Sequence, residues 1–169
     1  MKAILSADEN WGIGFKNRLL ERVPEDMRFF RHMTLGKVVV MGRETFDSLP
    51  GREPLKERTN IVLSTHKELG RQGLTVCGSL EELFAELAKY PPEDVFVIGG
   101  ESVYRQLLPY CAEVYITKFH REYEADRHFP NLELDKAWTP ETLDASLSFN
   151  GLEYSRVKYT NCKTENSPD

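Results

Sequence analysis

The chain has 169 residues, a length that suits one domain able to bury about 70% of its unfolded surface. Its 40% hydrophobic and 29% charged residues exclude a disordered chain. A net charge of −5, from 22 basic and 27 acidic residues without any Lys/Arg block, argues against a nucleic-acid partner.

Lys2 to Ala7 is a short apolar run that predicts a strand. A long Gly-containing loop follows, from Asp8 to Val23. Pro24 to Thr34 predicts a helix, with Pro24 suited to its first turn. Met27, Phe30 and Met33 mark its core side. Val38 to Met41 is a continuous apolar run, as expected of a buried parallel strand. Gly42 breaks it, and a short helix from Glu44 to Leu49 comes next. Strands are expected at Asn60 to Ser64 and Leu74 to Cys77. Ser79 and Glu82 form a capping box for a helix from Leu80 to Tyr90. Val95 to Ile98 is a strand ending at Gly99-Gly100, followed by a helix from Ser102 to Leu108 stopped at Pro109. Val114 to Lys118 is a further strand. Asn150-Gly151, between Ser146–Phe149 and Tyr154–Tyr159, signals a hairpin. Asn161 to Asp169 reads as a frayed polar tail, which places the domain at residues 1–160.

This alternation predicts a single-domain α/β fold, a mostly parallel central sheet flanked by helices, closed by an antiparallel hairpin. Such sheets bind ligands at the carboxyl ends of their strands, so the strand-to-helix junctions are where chemistry is expected. Asp26 lies in the first turn of its helix, on one face with Phe29 and Phe30. An acid there either stabilises the helix dipole or serves as an anchor and proton source at the edge of an apolar surface. Two strand-Gly-helix junctions, Met41-Gly42-Arg43-Glu44-Thr45 and Ile98-Gly99-Gly100-Glu101-Ser102-Val103-Tyr104, suit a dinucleotide with two phosphates. Taken singly, each is also an ordinary turn. Ser64-Thr65-His66-Lys67 has small hydroxyls and bases at a strand end, which suits a 2′-phosphate and so NADP rather than NAD. Trp11-Gly12-Ile13-Gly14-Phe15 lacks the third glycine of the dinucleotide fingerprint and is read as a lid with exposed aromatics.

His32, His66, His120 and His128 have no metal-like spacing, so no metal is expected. Cys77, Cys111 and Cys162 form no C-x-x-C pair, and an odd count argues against a disulfide framework. A reducing cytoplasm is the expected compartment. No apolar run is long enough for a membrane span or a signal peptide, so no membrane is expected. With no interface stripe evident, a monomer is expected.

Taken in order, these residues resemble dihydrofolate reductase of the bacterial type. The likeness runs from Met1 to about Tyr159. It is carried by Ala7-Asp8-Glu9-Asn10 with Gly12-Ile13-Gly14, by Pro24-Glu25-Asp26-Met27 with Phe30, and by Val40 to Leu49. It continues through Arg58 to Ser64, Val97-Ile98-Gly99-Gly100 with Val103-Tyr104, Tyr115-Ile116-Thr117, and Asp126 with His128-Phe129-Pro130.

The resemblance implies reduction of 7,8-dihydrofolate to tetrahydrofolate with NADPH, a reaction that serves one-carbon metabolism and thymidylate synthesis. It implies that Asp26 binds the 2-amino group and N3 of the pterin, supported by Thr117. Ile4, Leu5, Met27, Phe30, Leu49, Leu55 and Ile98 would line the substrate pocket, with Arg58 on the glutamate carboxylate. Gly42, Arg43, Glu44, Thr45, Ser64 and Thr65 would hold the adenine end and phosphates of the cofactor. Gly99, Gly100, Glu101, Ser102, Val103 and Tyr104 would hold its pyrophosphate and nicotinamide side, with Ser6, Ile13 and Gly14 near the nicotinamide. The loop from Asp8 to Val23 would be the lid, latched by Asp126. Three positions depart from the family pattern: Glu21 and Phe46 stand where Trp is usual, and Glu101 replaces a third glycine. Two other readings remain at this stage. One is a pyrimidine reductase of the riboflavin pathway, which shares the fold. The other is a non-catalytic cofactor- or folate-binding module.

Overall fold

The apolar runs of the sequence pair side by side in one eight-stranded sheet in the computed structural model, which describes residues 1–163. The elements in chain order are β1 (Lys2–Ala7), β2 (Gly12–Gly14), α1 (Pro24–Thr34), β3 (Val38–Gly42), α2 (Arg43–Ser48), β4 (Thr59–Leu63) and β5 (Leu74–Cys77). They continue as α3 (Leu80–Leu87), β6 (Val95–Gly99), α4 (Glu101–Leu107), β7 (Glu113–Phe119), β8 (Arg127–His128), β9 (Trp138–Phe149) and β10 (Leu152–Asn161). The sheet order is β5-β4-β3-β6-β1-β7-β10-β9. Strands β5 to β7 run parallel, and β10 and β9 complete the sheet antiparallel.

The continuous hydrophobicity of β3 follows from burial on both faces. Val38 and Val40 point into the larger core with Val97, Val103 and Leu107, while Val39 and Met41 join Phe46, Val62 and Leu74 on the opposite face. Helix α1 departs from the expectation of a core-facing stripe. Only Thr34 of its residues is fully buried, and Met27 is exposed. Its apolar side, Met27, Phe29 and Phe30, instead forms a wall of a cleft.

Other boundaries move for local reasons. Helix α3 ends at Leu87 rather than Tyr90, because a residue before proline, here Tyr90 before Pro91, is pushed out of helical geometry. Ser79 Oγ accepts the Glu82 N–H at 3.1 Å as expected, but the Glu82 carboxylate accepts from the Gly78 N–H at 2.8 Å, so the box closes one residue early. The hairpin turn has left-handed Asn150 (φ 47°) and Gly151 (φ 77°), as a type I′ turn requires. Its first arm begins at Trp138, well before Ser146, and tolerates Pro140 because β9 is an edge strand. The expected tail boundary also shifts. Asn161 pairs with Trp138 in the hairpin, and the Cys162 N–H donates to Ala137 O at 2.9 Å. The remainder of the expected tail, residues 164–169, lies outside the described residues. Among the described residues no helix is long and apolar enough to cross a membrane, and no group of three His, Cys, Asp or Glu side chains is placed to hold a metal.

Candidate active site

One cleft of about 1520 Å³ runs across the carboxyl ends of the parallel strands. That exceeds the roughly 300–1,000 Å³ of an ordinary small-molecule site, so it has room for two ligands side by side. Its lining includes the substrate and cofactor contacts implied by the resemblance, but not His66 or Lys67.

At one end stands Asp26. Val23, buried against Phe119, Leu152 and Tyr154, fixes where α1 begins, and this sets the acid in the helix's first turn. The Asp26 side chain is 16% exposed. Thr117 Oγ1 of β7 donates to Asp26 Oδ1 at 2.5 Å. Burial raises the Asp26 pKa above its ordinary value, while the Thr117 hydroxyl and the Arg156 guanidinium pull it back only in part. Apolar side chains of β1, α1 and β6 share the cleft with this acid: Leu5, Met27, Phe30 and Ile98 line it. Arg58 is held at the rim by its own backbone surroundings. Its Nε donates to Lys56 O at 2.8 Å and its Nη1 to Thr34 Oγ1 at 3.2 Å, which orients the guanidinium in advance.

At the other end the two Gly junctions pack on each other. A Cβ on Gly42 would lie 3.0 Å from Val103 Cγ2, and Cβ atoms on Gly99 and Gly100 would lie 3.1 and 3.3 Å from Thr45 Oγ1. Only glycine lets the starts of α2 and α4 approach this closely. Neither helix start is capped by a side chain. A third junction, Gly78-Ser79-Leu80 between β5 and α3, reaches the same wall and was not singled out in the sequence. Tyr104 is committed to the core. Its hydroxyl donates to Ile4 O at 2.9 Å and its ring stands edge-on to Phe129. Burial pushes its phenol pKa up.

The expected base cluster after β4 is corrected by the structure. Lys67 Nζ lies 2.8 Å from Glu82 and His66 Nδ1 lies 3.2 Å from Glu68, and neither base lines the cleft. Ser64 and Thr65 remain in the lining, as does Arg43. Glu82 thus neutralises the Lys67 charge that a residue count reads as part of a phosphate cluster.

The loop between β1 and α1 is anchored at its base. Asp8, 4% exposed, organises the turn. Its Oδ1 accepts the Asn10 and Gly12 N–H groups and its Oδ2 accepts the Tyr123 N–H. Trp11 was expected to be exposed. It is buried against Phe129 and Tyr159, with Lys118 over its ring. Asp126 meets the loop from the far side: its N–H donates to Gly14 O at 3.0 Å and its Oδ2 accepts the Lys16 N–H at 3.1 Å. Glu101 accepts the His128 N–H at 3.0 Å, and Glu44 faces Arg127 at 3.4 Å. The two carboxylates therefore tie β8 to the starts of α4 and α2. Glu21 accepts from the Tyr123 hydroxyl at 3.1 Å. Phe46 is fully buried under Arg71.

The fold and cleft define an α/β enzyme that sets a dinucleotide-sized channel beside an apolar wall carrying Asp26, the class of single-domain reductases. A sequence model described as dihydrofolate reductase matches residues 1–160. The dihydrofolate reductase of Bacillus subtilis (strain 168) is 42% identical over 130 residues, covering 77% of this chain and 75% of that protein. The one from Neisseria gonorrhoeae is 35% identical over 156 residues, covering 92% and 94%. A solved structure of dihydrofolate reductase from Enterococcus faecalis, complexed with NADP(H) and RAB-propyl, superposes with a TM-score of 0.83 at 33% identity over 95% of each chain. The chain belongs to the dihydrofolate reductase family, and its activity is the reduction of dihydrofolate.

Proposed function

We propose that NADPH and dihydrofolate lie side by side in the cleft, and that Asp26 holds the proton which the reaction places on N5. The observation that carries this reading is one buried carboxyl, oriented by Thr117, in a channel large enough for both molecules. The Gly42 and Gly99-Gly100 junctions fit a bound pyrophosphate, since any side chain there would meet Val103 or Thr45. Arg43, Thr45, Ser64 and Thr65 would hold the adenine end and its phosphates. Ser6, Ile13 and Gly14 would border the nicotinamide. Preference for NADPH over NADH is supported by the NADP(H) bound in the Enterococcus faecalis relative. Ile4, Leu5, Met27, Phe30, Leu49, Leu55 and Ile98 would enclose the pterin and its benzoyl arm, with Arg58 on the glutamate carboxylate.

NADPH, when bound, supplies the hydride. The protein supplies position and the proton. Protonation of N5 makes C6 electrophilic. Asp26 would face the pterin's 2-amino group and N3 rather than N5, so the proton it keeps would reach N5 through water. Burial favours the neutral carboxyl, so the acid retains its proton further above the ordinary carboxylate range than an exposed aspartate does. The enzyme as one domain that includes the whole β9–β10 hairpin, working as a monomer in a reducing cytoplasm, completes the proposal. The three free cysteines support that compartment.

The sign of the pH dependence follows. Below the raised pKa of Asp26 the proton is present. Above it the proton is lost, so turnover falls as pH increases. A pH profile of dihydrofolate-dependent NADPH oxidation at saturating substrates reads this directly. The expected result is a single descending limb, and a profile that rises with pH overturns the proton assignment.

A further inference from the structure

Strand β10 buries four consecutive residues, Tyr154, Ser155, Arg156 and Val157. An arginine in such a run is costly unless its charge is paired. In register, Arg156 stands opposite Thr117 on β7, the residue that hydrogen-bonds Asp26. On its other side it stands opposite Asp144 of β9. Strand β9 slips register on both sides of this pair, between Tyr154 and Arg156 and again before Val157. Such irregularities re-aim side chains, and here the outcome is Asp144 Oδ2 at 2.9 Å from Arg156 Nη1.

The guanidinium is therefore shared. Its Nη2 lies 4.0 Å from Asp26 Oδ1, and its plane sits 3.9 Å from the centre of the Phe29 ring. Among the described residues its Nε, which is buried, has no hydrogen-bond partner. Arg156 is absent from the cleft lining, whereas Asp26, Phe29 and Thr117 are part of it. The charge sits behind the cleft wall and meets it at the Asp26 carboxyl and the Phe29 ring.

We propose that Arg156 is a positioning residue whose charge, divided between Asp144 and Asp26, sets the pH at which Asp26 gives up its proton and hence the pH range of turnover. This rests on the proton-holding role of Asp26. The groups facing that carboxyl are few. Thr117 approaches from β7, and Arg156 and the Tyr154 phenol from β10, with Asp144 of β9 behind Arg156. On α1, Glu25 is paired with Arg28 at the exposed side. Glu21 of the loop is bonded to Tyr123, and Arg22, Arg31 and Arg58 line the cleft beyond.

Two substitutions move Asp26 in opposite directions. Arg156→Met removes a cation beside the carboxyl, so the acid holds its proton to higher pH. Asp144→Asn releases the guanidinium from its stronger partner and removes a competing anion, so Asp26 loses its proton at lower pH. The direct readout is the ¹³C chemical shift of the Asp26 carboxyl, titrated in the ligand-free full chain, beside the pH profile of turnover. The expected order of midpoints is Asp144→Asn below the parent and Arg156→Met above it, with Arg156→Lys returning toward the parent because the charge is restored. Midpoints that stay put, or that move the same way in both variants, overturn the proposal. If Arg156→Met does not fold, Asp144→Asn decides alone, with an unmoved or raised midpoint counting against it. If the carboxyl titrates in the expected order but turnover ignores it, the proton role of Asp26 is what fails, while the electrostatic coupling to Arg156 stands.

Discussion

Asp26→Asn removes most dihydrofolate-dependent turnover at neutral pH, by about 10²- to 10⁴-fold, the usual share of a positioned proton donor. The amide keeps the shape of the carboxyl and still accepts from the Thr117 hydroxyl, so the start of α1 and the apolar wall stay in place. What it cannot do is hold an exchangeable acidic proton. Loss therefore falls on kcat more than on cofactor binding, because the junctions proposed to hold NADPH are built from β3, α2, β6 and α4. Acidic buffer restores part of the rate, since the substrate then takes its proton from solvent. Stopped-flow measurement of the hydride step from pH 5 to 9 separates these effects. Parent-like rates for the variant at neutral pH contradict the role given to the acid.

Gly99→Ala produces the second large effect, and it falls on the cofactor. Gly99 has φ +132°, a backbone conformation that side chains rarely adopt, and its added Cβ would lie 3.1 Å from Thr45 Oγ1. Holding a non-glycine residue in such a region costs about 1–3 kcal/mol. Relief requires moving the β6–α4 junction away from α2. The expected outcome is NADPH affinity weakened by about 5- to 100-fold, with a lowered melting temperature. Gly36→Ala is the control. Gly36 also has positive φ (+73°), but a Cβ there meets nothing within 4 Å and the residue is outside the cleft lining. It loses stability while cofactor affinity holds. Fluorescence titration of NADPH with thermal melts on both variants tests the contrast, and equal affinities would remove the junction from the cofactor site.

Much of the sheet was legible because its strands are buried on both faces. Runs such as Val38 to Met41 carry their assignment in composition alone. The three-residue β2 and two-residue β8 are too short to leave a pattern, yet their pairing closes the loop on the cleft. The α1 stripe was visible, but periodicity reports an apolar face without saying whether a core or a ligand covers it. The placement of Asp26 and the glycines at helix starts was legible because each is local to one turn. The pairing of Lys67 was not, since its neutralising partner, Glu82, comes from α3. Arg156 was missed for a similar reason. Its neighbours Asp144, Thr117 and Asp26 come from three other elements, and the register slips that align Asp144 with it have no signature in the sequence.

The central claim is that this cleft transfers hydride from NADPH to dihydrofolate. The measurement that tests it most directly is NADPH oxidation at 340 nm by the purified full chain, with and without dihydrofolate and with NADH in parallel. Rapid oxidation that requires dihydrofolate and prefers NADPH is the predicted result. Folded protein that binds NADPH but shows no dihydrofolate-dependent oxidation would contradict it.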